Sequence, residues 1–452
     1  MCGVFGIYNH KNSAEITYRG LFGLQHRGQE STGIVTSDGE KIYRDNCKGM
    51  GLVSEVYVKT NKEAKEGQVA LEDLIGHMAI GHDRYPTRGS TSIRNAQPTT
   101  VVHKNETYAI AHNGNLTNYK RLREKLEDLG SVFKTTSDTE IILHLLIKSK
   151  KRNLENKVYD ALRKVKGAYS FVLMTKDELI AARDPFGFRP LMVGKLDDSY
   201  VIASETCAFD QVGAEYVRDV TPGEILRINS EGERSVYLPK KQSKFCIFEH
   251  IYIARPDSYV FEEYVHGVRE EFGRQLAREY PVEADAVVPV LDSGKYAAWG
   301  YSQESGIMLK FGLNRNHYIP RTFIKPSGRS HSVKLKLNPV KKILRDKRVV
   351  LVDDSIVRAT TMKEIIKMVR NGGATEVHVR IGSPPITNPC YYGVDTPTKE
   401  ELIASSKSFE EIKKFIGADS LGYLSKKGML NCTRRCKKDF CTACFDGKYP
   451  IL

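Results

Sequence analysis

The sequence predicts two joined units, an α+β part over residues 1–240 and a parallel-sheet α/β part over 241–452. Three observations carry this. The first part holds short alternating strands with helices between them. The second contains continuous apolar runs, "ADAVVPV" and "RVVLV", each leading into small polar residues and then a helical segment. Runs apolar on both faces mark strands buried on both sides, as in a parallel sheet. Between the parts lies "VYLPKKQSKFC", basic and without period, as expected of a crossing between domains.

In chain order, "MCGVFGIY", "TYAIAHNG", "YSFVLM" and "ELIAAR" have strand character. Leu116, Tyr119, Leu122, Leu126 and Leu129 form an apolar stripe at helical spacing. Ser137 and Glu140 predict a capping box ahead of "IILHLLI". In the second part "RVVLVDDSIVRATTMKEII" reads as a strand, two carboxylates, a small polar loop and a helix. Ligands are expected at the carboxyl ends of such strands.

Composition narrows the classes. The chain has 452 residues, 40% hydrophobic and 27% charged, which suits two or three folded domains and excludes a disordered polymer. No apolar run approaches the roughly 20 residues needed to cross a bilayer, and no charged-then-apolar leader is present, so the expected compartment is the cytoplasm. The net charge of +14 would suit a phosphate-rich partner, but the basic residues are spread along the chain as on a solvated surface. Nucleic acid is therefore a distant alternative. Nine cysteines, five of them in the last quarter, suggest metal ligands or a reactive thiol in a reducing compartment.

Cys2 is the candidate nucleophile. Removal of Met1 would put a thiol and a free α-amine on one residue, and an amine of pKa about 8 can accept the thiol proton. Four stretches accompany it: "LQHRGQEST", "GHDRYPTRGS", "AHNGNLTN" and "TTSDTE". In this order behind "CGVFGI" they resemble the class II glutamine amidotransferases, N-terminal-nucleophile hydrolases built as an αββα sandwich. The resemblance implies that Cys2 attacks glutamine, with Asn113 and Gly114 as oxyanion donors. It further implies Arg84 on the α-carboxylate of glutamine, Asp138 on its α-ammonium, and Arg27 and Gly28 in a loop closing over it. Pro86 stands where the family usually has serine, while Thr87 is retained at the glutamine site.

Such a domain normally feeds ammonia to an attached synthase. A strand ending in two carboxylates, with a loop aimed by a helix N-terminus, can hold ribose hydroxyls, hydrated magnesium and a phosphate. This stretch resembles the phosphoribosylpyrophosphate signature of type I phosphoribosyltransferases, and nearly the whole chain resembles the amidophosphoribosyltransferase family. By that resemblance Asp353 and Asp354 bind ribose and Mg2+, joined at the metal by Ser293. Ser355, Arg358, Ala359, Thr360 and Thr361 lie in the 5′-phosphate loop, and Arg321 belongs to a loop that closes over the substrate. Ammonia would pass between the domains. The implied reaction turns phosphoribosylpyrophosphate, glutamine and water into 5-phosphoribosylamine, pyrophosphate and glutamate, opening de novo purine synthesis. Family members are usually tetramers or dimers of dimers, and purine nucleotide inhibitors are expected. The departures fall here: a shorter loop after Arg321, Pro320 and Ala359 in place of glycine, and Leu291 in place of proline. An alternative is a diverged paralogue that hydrolyses glutamine and binds a phosphorylated ligand without transfer.

Cys441 and Cys444 form a C-x2-C pair. With Cys246 and Cys390 they match positions that hold a [4Fe–4S] cluster in one branch of the family. Spacing alone also admits zinc, either there or on Cys432, Cys436, Cys441 and Cys444 as a small knuckle. In the distant alternative, a basic cysteine-metal protein binding nucleic acid, such a knuckle would be structural.

Overall fold

The computed structural model describes residues 1–45, 47–85, 90–316, 336–396 and 398–452. Two antiparallel sheets stack in the first part. The larger has the strand Gly3–Tyr8 at its centre, between Met78–Arg84 and Ser199–Ala203. The second, six-stranded, sheet is centred on Glu106–Leu116, Gly167–Met174 and Leu179–Arg183. Their facing sides share one core in which Ile7, Ile80 and Ala203 meet Ala111, Val172 and Leu179. The helix Ser13–Leu24 covers the outer face of the first sheet. Helices Thr139–Ile147 and Leu154–Leu162 cover that of the second. This is the expected αββα sandwich, and all four strands read from the sequence form in it.

Two local readings need correction. The helix behind the leucine stripe runs only Tyr119–Asp128: Leu116 belongs to the preceding strand, and Leu129 is exposed beyond the helix end. The Ser137–Glu140 box does not form, because the carboxylate of Glu140 accepts the N–H groups of Lys134 and Thr135 instead. Asp138 takes the cap position.

After Tyr237 the chain leaves the second sheet. Phe245–Cys246 pairs in parallel with Phe440–Cys441, which laces the crossing segment to residues almost two hundred positions later. A four-stranded parallel sheet follows, Ala286–Pro289, Arg348–Asp353, Glu376–Ile381 and Ser420–Tyr423, in the order in which neighbouring strands pair. The buried hydrophobic cluster of the sandwich continues through Ile247, Phe248 and Ile251 to Val268, Val287 and Val350 of this second part. No helix among the described residues is long and apolar enough to cross a membrane.

Candidate active site

Cys2 sits buried at the head of the central strand. Its backbone N–H donates to Asn113 Oδ1 at 3.2 Å, and its thiol approaches the carbonyl oxygen of Tyr85 at 3.6 Å. The α-amine of Met1 is buried beside it, and desolvation draws that amine down to about 5. Asn113 and Gly114 come from the adjacent sheet, near the end of Glu106–Leu116. With Oδ1 held by Cys2, Asn113 Nδ2 is left as a buried donor with no acceptor. Gly114 has φ +155°, and a Cβ there would fall 2.1 Å from the carbonyl oxygen of Ala168, so only glycine fits. Asp138 Oδ2 accepts the N–H of Leu116 at 2.7 Å, which ties the cap of the following helix to this strand.

Arg84 ends its strand buried and paired with Glu30. Arg27 is turned inward: Nε donates to the carbonyl oxygen of Cys2 at 3.0 Å, while the rest of the guanidinium pairs with Glu205 and, through two 3.0 Å bonds, with Glu249. Expected from the sequence in a loop above glutamine, Arg27 grips the carbonyl of the residue that carries the thiol. Burial opposes the charges in this cluster, but the contacts overcome it. His26 and Arg27 hold the carboxyl of Glu205 below the usual range. Glu249 also pairs with Arg189, whose Nε and second terminal nitrogen donate to the carbonyl oxygen of Tyr392 at 3.0 and 2.8 Å. Thr87 lies outside the described residues.

At the second centre, Asp353 ends the strand Arg348–Asp353 and accepts the Ser293 hydroxyl at 2.9 Å. Asp354 follows and accepts the hydroxyl of Ser355. Burial pushes both carboxyls up, and for Asp353 the neighbouring Asp354 adds to it. Two adjacent buried acids of this kind form a donor set suited to a hard divalent cation. Ala359 has φ +62°, the left-handed region that an L residue enters at a cost, immediately before the helix Thr360–Asn371. Glycine, usual at this position in the family, would enter that region without the cost. Arg358 pairs with Glu401. Arg321, Pro320 and the shortened loop lie outside the described residues.

One cavity of about 430 Å³ runs from residues beside Cys2 to the second centre. Met1, Arg27, Gly28 and Tyr85 line it at one end, and Ser293, Asp353, Asp354 and residues 355–361 at the other. Arg269 lies on its wall, buried, donating to the carbonyl oxygens of His250 and Ala254; burial lowers it to about 10. A separate small cavity of about 20 Å³ is lined by Cys246, Cys390, Cys441 and Cys444 with Arg189 and Tyr392. No three of these sulfurs lie within 4.8 Å of one another. Cys432 and Cys436 do not line it. The thiol of Cys432 donates to the carbonyl oxygens of Glu271 and Gly428, and Cys436 is exposed, so the knuckle reading loses its geometry.

The comparisons agree with this geometry. A glutamine amidotransferase domain model matches residues 82–211, and a phosphoribosyl transferase domain model matches residues 268–381. The amidophosphoribosyltransferase of Bacillus subtilis is 49% identical over 457 residues, covering 99% of this chain and 94% of that one. The chain belongs to the amidophosphoribosyltransferase family. Amidophosphoribosyltransferase 1 of Arabidopsis thaliana, a chloroplastic protein, is 50% identical across 100% of this chain and 78% of its own. The amidophosphoribosyltransferase of Methanocaldococcus jannaschii is 46% identical, covering 100% and 98%. Among solved structures, the B. subtilis glutamine phosphoribosylpyrophosphate amidotransferase complexed with ADP and GMP superposes with TM-score 0.91 at 48% identity, over 100% of this chain and 98% of that one.

For an amidophosphoribosyltransferase, the residues that sequence reasoning missed are the ones joining its two parts. Glu205, Glu249 and Arg189 carry no motif of their own. Glu249 stands three residues after Cys246, in a stretch read only for its cysteine, and the sole available signal was a dense run of charge and aromatics at the crossing.

Proposed function

We infer that the chain makes 5-phosphoribosylamine, pyrophosphate and glutamate from phosphoribosylpyrophosphate, glutamine and water, with processed Cys2 as the nucleophile. The observation that carries the coupling is the single cavity lined at one end by Gly28 and Tyr85 and at the other by Asp353 and Asp354. The Cys2 sulfur attacks the side-chain carbonyl carbon of glutamine, and its proton passes to the α-amine that removal of Met1 exposes. The oxygen then carries the negative charge. Asn113 Nδ2, buried without an acceptor, is aligned with that role, and Gly114 supplies the second donor; one such donor contributes a few kcal/mol. Collapse returns the proton to the departing nitrogen. Ammonia leaves, a γ-glutamyl thioester remains, and water converts it to glutamate. Arg84 and Asp138 would grip the α-carboxylate and α-ammonium, with Arg27, Gly28 and Thr87 completing that pocket.

Ammonia then attacks the anomeric carbon of phosphoribosylpyrophosphate and displaces pyrophosphate. Asp353 and Asp354 would hold the ribose hydroxyls, and the loop from Ser355 to Thr361 the 5′-phosphate. Ser293 with the two acids would hold Mg2+, which supplies charge neutralisation for the leaving pyrophosphate. Arg321 would close the site, excluding water that competes with ammonia for the electron-poor carbon.

Cys246, Cys390, Cys441 and Cys444 would hold a [4Fe–4S] cluster. Four thiolates around one small cavity suit such a cluster, with a structural zinc as the alternative the same donors admit. Nine free thiols suit a reducing compartment such as the cytoplasm. We place the domain boundary near residue 240, with a homo-oligomer and control by purine nucleotides as further expectations. Cys2→Ala should abolish glutamine-dependent pyrophosphate release and spare release driven by ammonium chloride. Loss of both would defeat the assignment of the thiol, and absence of any release from folded wild-type protein would favour a non-transferring paralogue.

A further inference from the structure

The wall behind the oxyanion donors is not made by the glutaminase part. It is residues 390–395, far down the chain. A Cβ placed on Gly393 would come within 2.9 Å of the carbonyl carbon of Gly114 and 3.1 Å of its Cα, so the two backbones are in direct contact. Gly393 has φ +100°, a conformation that lets the chain turn without a side chain at the contact. The next residue of the oxyanion strand, Asn115, donates from Nδ2 to the carbonyl oxygen of Tyr391 at 2.8 Å.

This segment is anchored on its far side as well. The carbonyl oxygen of Tyr392 accepts two bonds from Arg189, its ring stacks on Phe188 at 4.2 Å, and its N–H donates to the sulfur of Cys390 at 3.3 Å. Cys390 lines the four-cysteine cavity. Three neighbouring residues therefore tie the oxyanion strand to the cysteine centre, with Gly393 at the point of contact.

We propose that Gly393 is a positioning residue for Gly114, and that the 390–395 segment holds the oxyanion site in shape from its anchorage at the cysteine centre. The inference rests on the reading of Cys2, Asn113 and Gly114 given above. Substrate gripping at Arg84 and Asp138 does not involve this wall, whereas stabilisation of the charged intermediate does. Disturbing the wall should thus lower kcat and leave KM in place.

The test is Gly393→Ala, assayed for glutamine hydrolysis, for ammonia-dependent pyrophosphate release and for the visible absorption of the bound cluster. The expected result is a fall in kcat for glutamine of about 10- to 100-fold, less than the roughly 100- to 1,000-fold seen when an oxyanion donor is removed outright because Gly114 is displaced and not lost, with KM within about twofold. The ammonia reaction and the absorption spectrum should match the parent. An unchanged kcat in that variant overturns the proposal, as does a loss shared equally by the ammonia reaction. Should Gly393→Ala not fold, Asn115→Ala removes the bond to Tyr391 without touching a positive-φ position. It should show the same split, and an unchanged kcat there also overturns the idea. Hydrogen exchange without substrate gives a readout independent of activity: Cys390→Ala should quicken exchange at residues 113–116, and unaltered protection counts against the anchorage. Failure of the underlying reading is separable, because Cys2→Ala would then still hydrolyse glutamine.

Discussion

Replacing Glu249 with glutamine should weaken the fold and disable the glutaminase together. The carboxylate is wholly buried and makes three bonds to guanidinium groups, two to Arg27 at 3.0 Å and one to Arg189 at 3.3 Å. In Glu249→Gln one oxygen becomes an NH2 group facing donors. The cluster of Arg27 and Arg189 then keeps only Glu205 to balance two buried cations. Removing one partner of a buried pair costs about 3–5 kcal/mol, because the surviving charge is left uncompensated. Set against a total stability of about 5–15 kcal/mol, this is a large fraction. The denaturant midpoint should fall accordingly, with the slope unchanged. Arg27 also holds the carbonyl oxygen of Cys2. Glutamine-dependent turnover should therefore fall more than ammonia-dependent turnover, measured at a temperature where the variant is folded. Wild-type stability together with wild-type glutaminase in Glu249→Gln would refute the claim that this carboxylate clamps the nucleophile's residue.

Asp83 is fully buried, and burial outweighs the nearby Thr32 hydroxyl to push its carboxyl well up. A raised acid stabilises the fold fully below the unfolded pKa near 3.9 and loses that contribution as pH rises toward the folded value, by at most about 1.4 kcal/mol per pH unit. Denaturant melts of Asp83→Val between pH 5 and 8 should lack this slope, and an unaltered slope would place its source elsewhere. Removal of Met1 would expose the α-amine of Cys2, a residue buried at the head of its strand, and burial lowers an amine there, as it does for Met1. A base with a lowered pKa stays free to accept a proton at lower pH, so the acid limb of kcat/KM for glutamine should lie clearly below 7.7, and a limb at that ordinary value would show a solvated amine. Cys246→Ser should abolish the broad visible absorption of the purified protein, whereas a colourless, zinc-loaded wild type prepared without air would remove the iron–sulfur assignment.

The alternating and continuous apolar patterns were enough to announce the sandwich and the parallel sheet, because side-chain periodicity is set by which faces are buried. Cys2, the Asn113–Gly114 pair and the Asp353–Asp354 pair could be picked out because each sits in a short motif that resembles the family's, and the structure sets Asn113 beside Cys2 and Ser293 beside Asp353. The Ser137–Glu140 box was misread for the opposite reason. The residues and spacing were right, but Glu140 had better partners at Lys134 and Thr135, and local pattern cannot rank one backbone N–H against another. Glu249, Arg189 and Gly393 were silent because their roles exist only across the fold. A lone glutamate among aromatics looks like surface until two arginines from other elements close on it, and a glycine in "YYGVD" looks like a turn until a second glycine backbone is found against it.

The contact between Asn115 and Tyr391 spans 276 residues of sequence. At roughly 5–20 residues per second of synthesis, a ribosome takes on the order of tens of seconds to cover that distance. Throughout that interval the emerging polypeptide already carries Cys2, Asn113 and Gly114, yet the segment proposed to hold the oxyanion site in shape has not been made. On the proposed role of that segment, a chain still in synthesis should hydrolyse glutamine more slowly than the completed one, so that ammonia release rises as the part that consumes it is finished.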